Sequence, residues 1–261
     1  MRLAFDTESE IPGAVPIRRF GVVLLQTDEI VEAEFPALLA GTNARVHYSR
    51  VPSAPEVTPE TLATMEATLP AAVGLLPRSA PFDVIAYACT SGATIIGEDR
   101  VAEVIRAVRP GVAATNPLTA VKAALKVLGI RKVGFVTPYV AAVSDAMRDK
   151  LSAVGIETVS FGSFGVADDG IVARMTPDSI LRAVSTVATA ADCDGVFISC
   201  TNLQAAGIIE EAEARLGKPV VSSNQALAWH LLRLAGDDTP RSGRGRLFSL
   251  PLMGSDGERP E

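Results

Sequence analysis

The chain has 261 residues, of which 48% are hydrophobic and 21% charged, with a formal net charge of −6. That length suits one large domain or two lobes of about 120 residues each, and no apolar run approaches the roughly 18 residues a membrane span needs. The acidic balance, without clustered Lys and Arg, excludes nucleic acid as an expected partner.

In chain order, residues 1–19 read as an N-terminal arm that lacks the basic, apolar and small-residue zones of a secretory signal. Cytoplasm is the expected compartment, where Cys89, Cys193 and Cys200 stay reduced and form no disulfide framework. From residue 20 onward, short Val/Ile-rich runs alternate with Ala-rich segments of helical period, the pattern of repeated βα units. Strands are predicted at 20–25, 83–88, 111–114, 132–136, 156–160, 195–199 and 219–222, with helices at 118–128 and 225–235. Residues 251–261 have the composition of a tail.

The second half of the chain repeats landmarks of the first in the same order. FGVVLLQTD (20–28) matches KVGFVTPY (132–139), each an apolar run entering a polar turn. VIAYACTSG (84–92) matches GVFISCTNL (195–203), so both halves carry a Cys-Thr pair where a strand ends. GVAATNPLTAV (111–121) then matches PVVSSNQALAW (219–229), pairing Asn116 with Asn224. Nearly constant offsets predict two pseudo-symmetric α/β lobes, each a parallel sheet flanked by helices, with a cleft between them.

Ligands of parallel sheets bind at the carboxyl ends of strands, where both cysteines fall. A thiol at the head of a helix lies near unpaired backbone N–H groups, so its thiolate is expected to be favoured. The hydroxyls of Thr90, Ser91 and Thr201 and the amide of Asn202 are candidates to hold a substrate carboxylate. Two thiols on opposite sides of a small carboxylate suit racemisation or cis–trans isomerisation, in which one face of a carbon is attacked and the other exchanges a proton. Cys193 precedes its strand and has no counterpart; it reads as structural. His230 reads as a packed or capping side chain. The chain has no CxxC pair, HExxH, Walker sequence or GxGxxG, so neither a metal nor an organic cofactor is expected.

CTSGA (89–93), RPGV (109–112), NPLTA (116–120), TPY (137–139), SCTNL (199–203) and GKPVVSSNQALAWH (217–230) together resemble the maleate isomerase family of the Asp/Glu racemase superfamily, which includes proteins of ectoine utilisation. The resemblance runs from Gly21 to about Ala235. It implies two pseudo-symmetric lobes and catalysis without cofactors, with Cys89 adding to a double bond, Cys200 supplying a proton and Tyr139 contacting substrate. It further implies that lobe 1 spans 20–130 and 225–250 and lobe 2 spans 131–224, the last helix crossing back to lobe 1.

Two places depart from the pattern, with Asp28 and Asp169 standing where maleate isomerases carry asparagines. An anionic side chain there disfavours a dicarboxylate and suits a substrate ammonium group, unless it acts as a helix cap or turn residue. The sequence reading therefore puts racemisation or epimerisation of an amino acid or its derivative first, with an ectoine-derived compound as one candidate. Maleate-to-fumarate isomerisation is the alternative. An arylmalonate-type decarboxylase and a non-catalytic two-lobe binding protein come behind, and a homo-oligomer is left open.

Overall fold

The computed structural model describes residues 17–253, so most of the expected arm and most of the expected tail lie outside the described residues. Strand β1 (Arg18–Leu25) takes in the last two residues of the expected arm. It is followed by α1 (Val31–Leu38), β2 (Ala44–Val51), α2 (Pro59–Leu75), β3 (Val84–Ala88), α3 (Thr90–Ile96), α4 (Glu98–Val108), β4 (Ala113–Thr115) and α5 (Pro117–Val127). The second half runs β5 (Lys132–Thr137), α6 (Ala141–Ser152), β6 (Glu157–Ser163), α7 (Asp169–Ala173), α8 (Pro177–Ala190), β7 (Gly195–Ile198), α9 (Ile209–Leu216), β8 (Val220–Ser222) and α10 (Ser223–Leu234). No helix among the described residues is long and apolar enough to cross a membrane.

These strands form two parallel sheets of four, ordered β2-β1-β3-β4 and β6-β5-β7-β8. The two orders are the same once the second lobe is renumbered, which is the repeat seen in the sequence. Each sheet is covered by helices, so its inner strands are buried on both faces and read as continuous apolar runs. Val84–Ala88 and Gly195–Ile198 are buried at every position. Strand β2 is absent from the sequence expectation because ARVHYSRV alternates polar with apolar residues and lies at an edge, paired only to β1.

Local chemistry sets the helix starts. Asn116 caps α5 through a bond from the Thr119 N–H, with Pro117 in the first turn where its missing donor costs nothing. Helix α10 instead begins at a Ser222–Gln225 capping box, so Asn224 lies inside the helix and is not the positional twin of Asn116. Residues Ser223–Arg233 of α10 are all buried. The helix leaves β8 and packs against α5, α1, β3 and β4, which ties the end of the second lobe to the first.

Candidate active site

The inner strands β3 and β7 deliver Cys89 and Cys200 to the seam between the lobes. Residues beside each thiol are bonded to the opposite lobe: Thr201 Oγ1 donates to the Ala88 carbonyl at 3.3 Å, and Thr90 Oγ1 donates to Ser223 Oγ at 2.8 Å. Ser223 Oγ in turn accepts from the Cys200 N–H at 3.1 Å. Asn202 adds a third seam, accepting from the Glu29 N–H and donating to the Asp169 carbonyl at 3.0 Å. These polar groups hold the two strand ends together, so of the expected carboxylate cradle only the buried Ser91 hydroxyl has no partner.

Each sulfur has a matching pair of neighbours. Cys89 Sγ accepts from the Gly92 N–H at 3.1 Å, and Cys200 Sγ accepts from the Asn202 N–H at 3.2 Å. Tyr87 reaches Cys89 with its hydroxyl, while the Tyr139 hydroxyl lies 3.1 Å from Cys200 Sγ. Gly92 is required at its place, because a Cβ there would come within 2.4 Å of the Tyr87 hydroxyl oxygen and 3.1 Å of Cys89 Sγ.

The two cysteines differ in backbone. Cys89 is the N-cap of α3, as the sequence suggests. No helix begins at Cys200; TNLQAAG forms a turn and the next α-helix waits until Ile209. Cys200 has φ of 140°, the one positive value at a non-glycine among the described residues. Such a conformation costs on the order of 1–3 kcal/mol and persists where the surroundings over-determine it, which is common at reacting centres.

The expectation that both thiolates are favoured is corrected here. Cys89 and Cys200 are 6% and 4% exposed. Burial pushes the Cys89 thiol up to about 12, and Asp169 and Asp28 add to that against the backbone N–H bond, which pulls the other way. Burial also drives Cys200 well above the ordinary thiol range, with the charge of Asp169 next in importance. Helix-end N–H groups do not outweigh desolvation in so closed a site.

Asp28 and Asp169 are both buried at this seam. Asp28 Oδ1 accepts from the N–H groups of Ile30 and Val31 at the head of α1, the helix-end role, and its Oδ2 is buried without a partner. Its carboxyl is raised to about 6, chiefly by burial. Asp169 Oδ1 accepts from Tyr139 at 2.8 Å and Oδ2 from Thr27 at 2.6 Å. Sequence reasoning missed Glu34, on the inner side of α1, whose carboxylate accepts from Asn224 and the Ala206 N–H and is raised to about 7 by burial. It missed Tyr87 too, a strand residue with no polar signal around it. Among the described residues none of these three carboxylates has an ion-pair partner.

Cys193 is buried apart from the seam, with its thiol 3.7 Å from the Ala188 carbonyl. His230 bonds Thr115 through Nδ1 at 2.8 Å, and burial lowers it to about 4, so it is a neutral packed side chain. Among the described residues no group of three or more His, Cys, Asp or Glu side chains is arranged to hold a metal ion.

The sequence profile of the arylmalonate decarboxylase family matches residues 65–248, which includes both thiols. The chain belongs to this family. Its similarity to arylmalonate decarboxylase of Bordetella bronchiseptica is 35% identity over 140 residues, or 53% of this chain and 58% of that one, so the match spans little more than half of that relative. Maleate isomerase of Nocardia farcinica is 29% identical over 243 residues, 89% of this chain and 96% of the relative. Among solved structures of the family's fold, a cysteine-to-serine variant of the Nocardia farcinica maleate cis-trans isomerase carrying a covalently bound succinylcysteine intermediate superposes with a TM-score of 0.82. That structure is 28% identical and covers 90% of this chain and 99% of its own. Two α/β lobes with parallel sheets are thus the family architecture.

Proposed function

We propose that this protein is a two-thiol isomerase of a small carboxylate, and that its reaction is cis–trans isomerisation of a cis-enedioate of the maleate kind. The observation that carries the reading is the pair Cys89 and Cys200, each at the end of an inner strand and each with one backbone N–H and one tyrosine. Nearly full-length similarity to maleate isomerases supports this reaction over racemisation, which the sequence alone had put first. In the proposed reaction the Cys89 thiolate adds to one alkene carbon while the Cys200 thiol gives its proton to the other. The resulting single bond rotates. The Cys200 thiolate then takes a proton back from that carbon as the Cys89–carbon bond breaks, leaving the trans alkene and the starting ionisation of the pair. Both sulfurs act as acid, base or nucleophile, so the atoms and charges balance without a further reagent.

Racemisation or epimerisation of an amino acid or its derivative is a second reading, favoured by one specific feature. Asp28 and Asp169 lie at the thiols without an ion-pair partner, and a substrate ammonium group would supply one. Incubation in D2O with maleate and with a panel of amino acids separates the two. The expected result is fumarate from maleate and no deuterium at the amino acid α-carbon; α-deuteration without fumarate would overturn the lead reading.

A further inference from the structure

Each sulfur has one backbone N–H and one tyrosine beside it, but the two tyrosines differ in what lies behind them. The Tyr87 hydroxyl has the thioether of Met65 as its second neighbour at 3.2 Å, a weak acceptor that leaves the phenol proton free to turn toward Cys89. The Tyr139 hydroxyl has a carboxylate behind it: it donates to Asp169 Oδ1 at 2.8 Å, while Thr27 donates to Oδ2 at 2.6 Å. A phenol has one proton. Once that proton points at Asp169, the 3.1 Å contact between Tyr139 and Cys200 can be a hydrogen bond only if the thiol donates and the phenol oxygen accepts.

We propose that Asp169 is a positioning residue that acts through Tyr139 to keep the proton on Cys200, the sulfur that supplies it in the proposed reaction. This rests on the two-thiol reading and deepens it, because it names the side chains that hold the proton on Cys200. The direction of the chain is Cys200 S–H to Tyr139 oxygen, then Tyr139 O–H to Asp169. On the Cys89 side the same logic runs in reverse, with Tyr87 donating to the sulfur when it is ionised. Asp28 also opposes the ionisation of Cys200, whereas Tyr139 favours it only by turning its proton from Asp169 to the sulfur, which the bond to Asp169 resists. An asparagine at 169 would turn its amide N–H to the phenol oxygen, free the phenol proton and aim it at the sulfur, so the substitution inverts the chain instead of merely removing a charge.

The test reads the resting protein, independent of turnover. In a Cys89→Ser, Cys193→Ser background only Cys200 remains, and its rate of alkylation by iodoacetamide is followed against pH. Asp169→Asn should move the midpoint down by about one unit or more, which makes alkylation at pH 8 about tenfold faster. Tyr139→Phe should also lower the midpoint, because the thiol loses its acceptor. In the matching Cys200→Ser, Cys193→Ser background, Tyr87→Phe should raise the Cys89 midpoint, because the thiolate loses a donor. An unmoved Cys200 midpoint in Asp169→Asn, or a raised one in Tyr139→Phe, overturns the proposal. Should Asp169→Asn not fold, the opposite signs expected of the two tyrosine variants still decide. Loss of turnover in the single cysteine variants alongside an unmoved midpoint would leave the two-thiol reading intact and remove only Asp169 from it.

Discussion

Cys89→Ser and Cys200→Ser should each lower turnover by on the order of 10^3-fold or more, while leaving the fold intact. A serine hydroxyl is a far weaker nucleophile and acid than a thiol, and both steps of the proposed reaction pass through both sulfurs. Groups that act as a unit lose their effect together, so the double variant should be no slower than the worse single one. The structural cost is small, since a serine oxygen can accept the same N–H bonds from Gly92 and Asn202 that the sulfurs do. Steady-state kinetics with maleate, alongside circular dichroism, checks both parts. One variant at full rate would show that a single thiol suffices.

The second large effect concerns stability and its pH dependence. Asp28→Asn should stabilise the protein at pH 8 by up to about 3 kcal/mol, and the gain should disappear below about pH 4. The Asp28 carboxyl is raised from its ordinary 3.8 to about 6, so the folded state binds this proton more tightly than the unfolded state does. A raised carboxyl favours folding where it is protonated, and that contribution is lost as pH rises through about 6. Above that value the wild-type protein holds a buried carboxylate with one oxygen unpaired. An asparagine keeps the acceptor that serves Ile30 and Val31 and carries no charge. Urea denaturation of both proteins at pH 8 and pH 4 measures the effect; equal differences at the two pH values would show that the Asp28 charge is not the cause. Glu34, raised to about 7, lowers stability over a similar pH range and is present in both proteins.

Such a penalty fits the proposed reaction, which places this seam against the substrate. The same holds for Cys200, whose positive φ is a strain that a glycine would relieve at the expense of the thiol.

Much of this arrangement was legible in the sequence because it rests on hydrophobic pattern and repetition. The runs VIAYA and GVFI have the continuous apolar character of inner parallel strands, and their shared Cys-Thr endings mark the seam. What stayed hidden depends on tertiary placement. Strand β2 escaped because its solvated edge carries alternating polar residues, and Glu34 because a glutamate on a short helix looks like any exposed charge. Tyr87 read as core since only its hydroxyl, at the very tip, meets the sulfur. The raised thiols were missed for a different reason: helix-end N–H groups can be inferred from sequence, whereas desolvation is set by how closely the two lobes meet. Asp28 and Asp169 were both noticed, but only the structure separates them, the first bonded to the head of α1 and the second to the tyrosine behind Cys200.

The central claim is that Cys89 attacks the substrate and Cys200 serves the other face. Peptide mass spectrometry of the Cys200→Ser variant after incubation with maleate tests it most directly. A succinyl adduct is expected on the peptide containing Cys89, the other alkene carbon taking its proton slowly from water in place of Cys200, and none is expected on the peptide containing Cys193. Absence of any adduct on Cys89, with the wild-type protein turning maleate over, would contradict it.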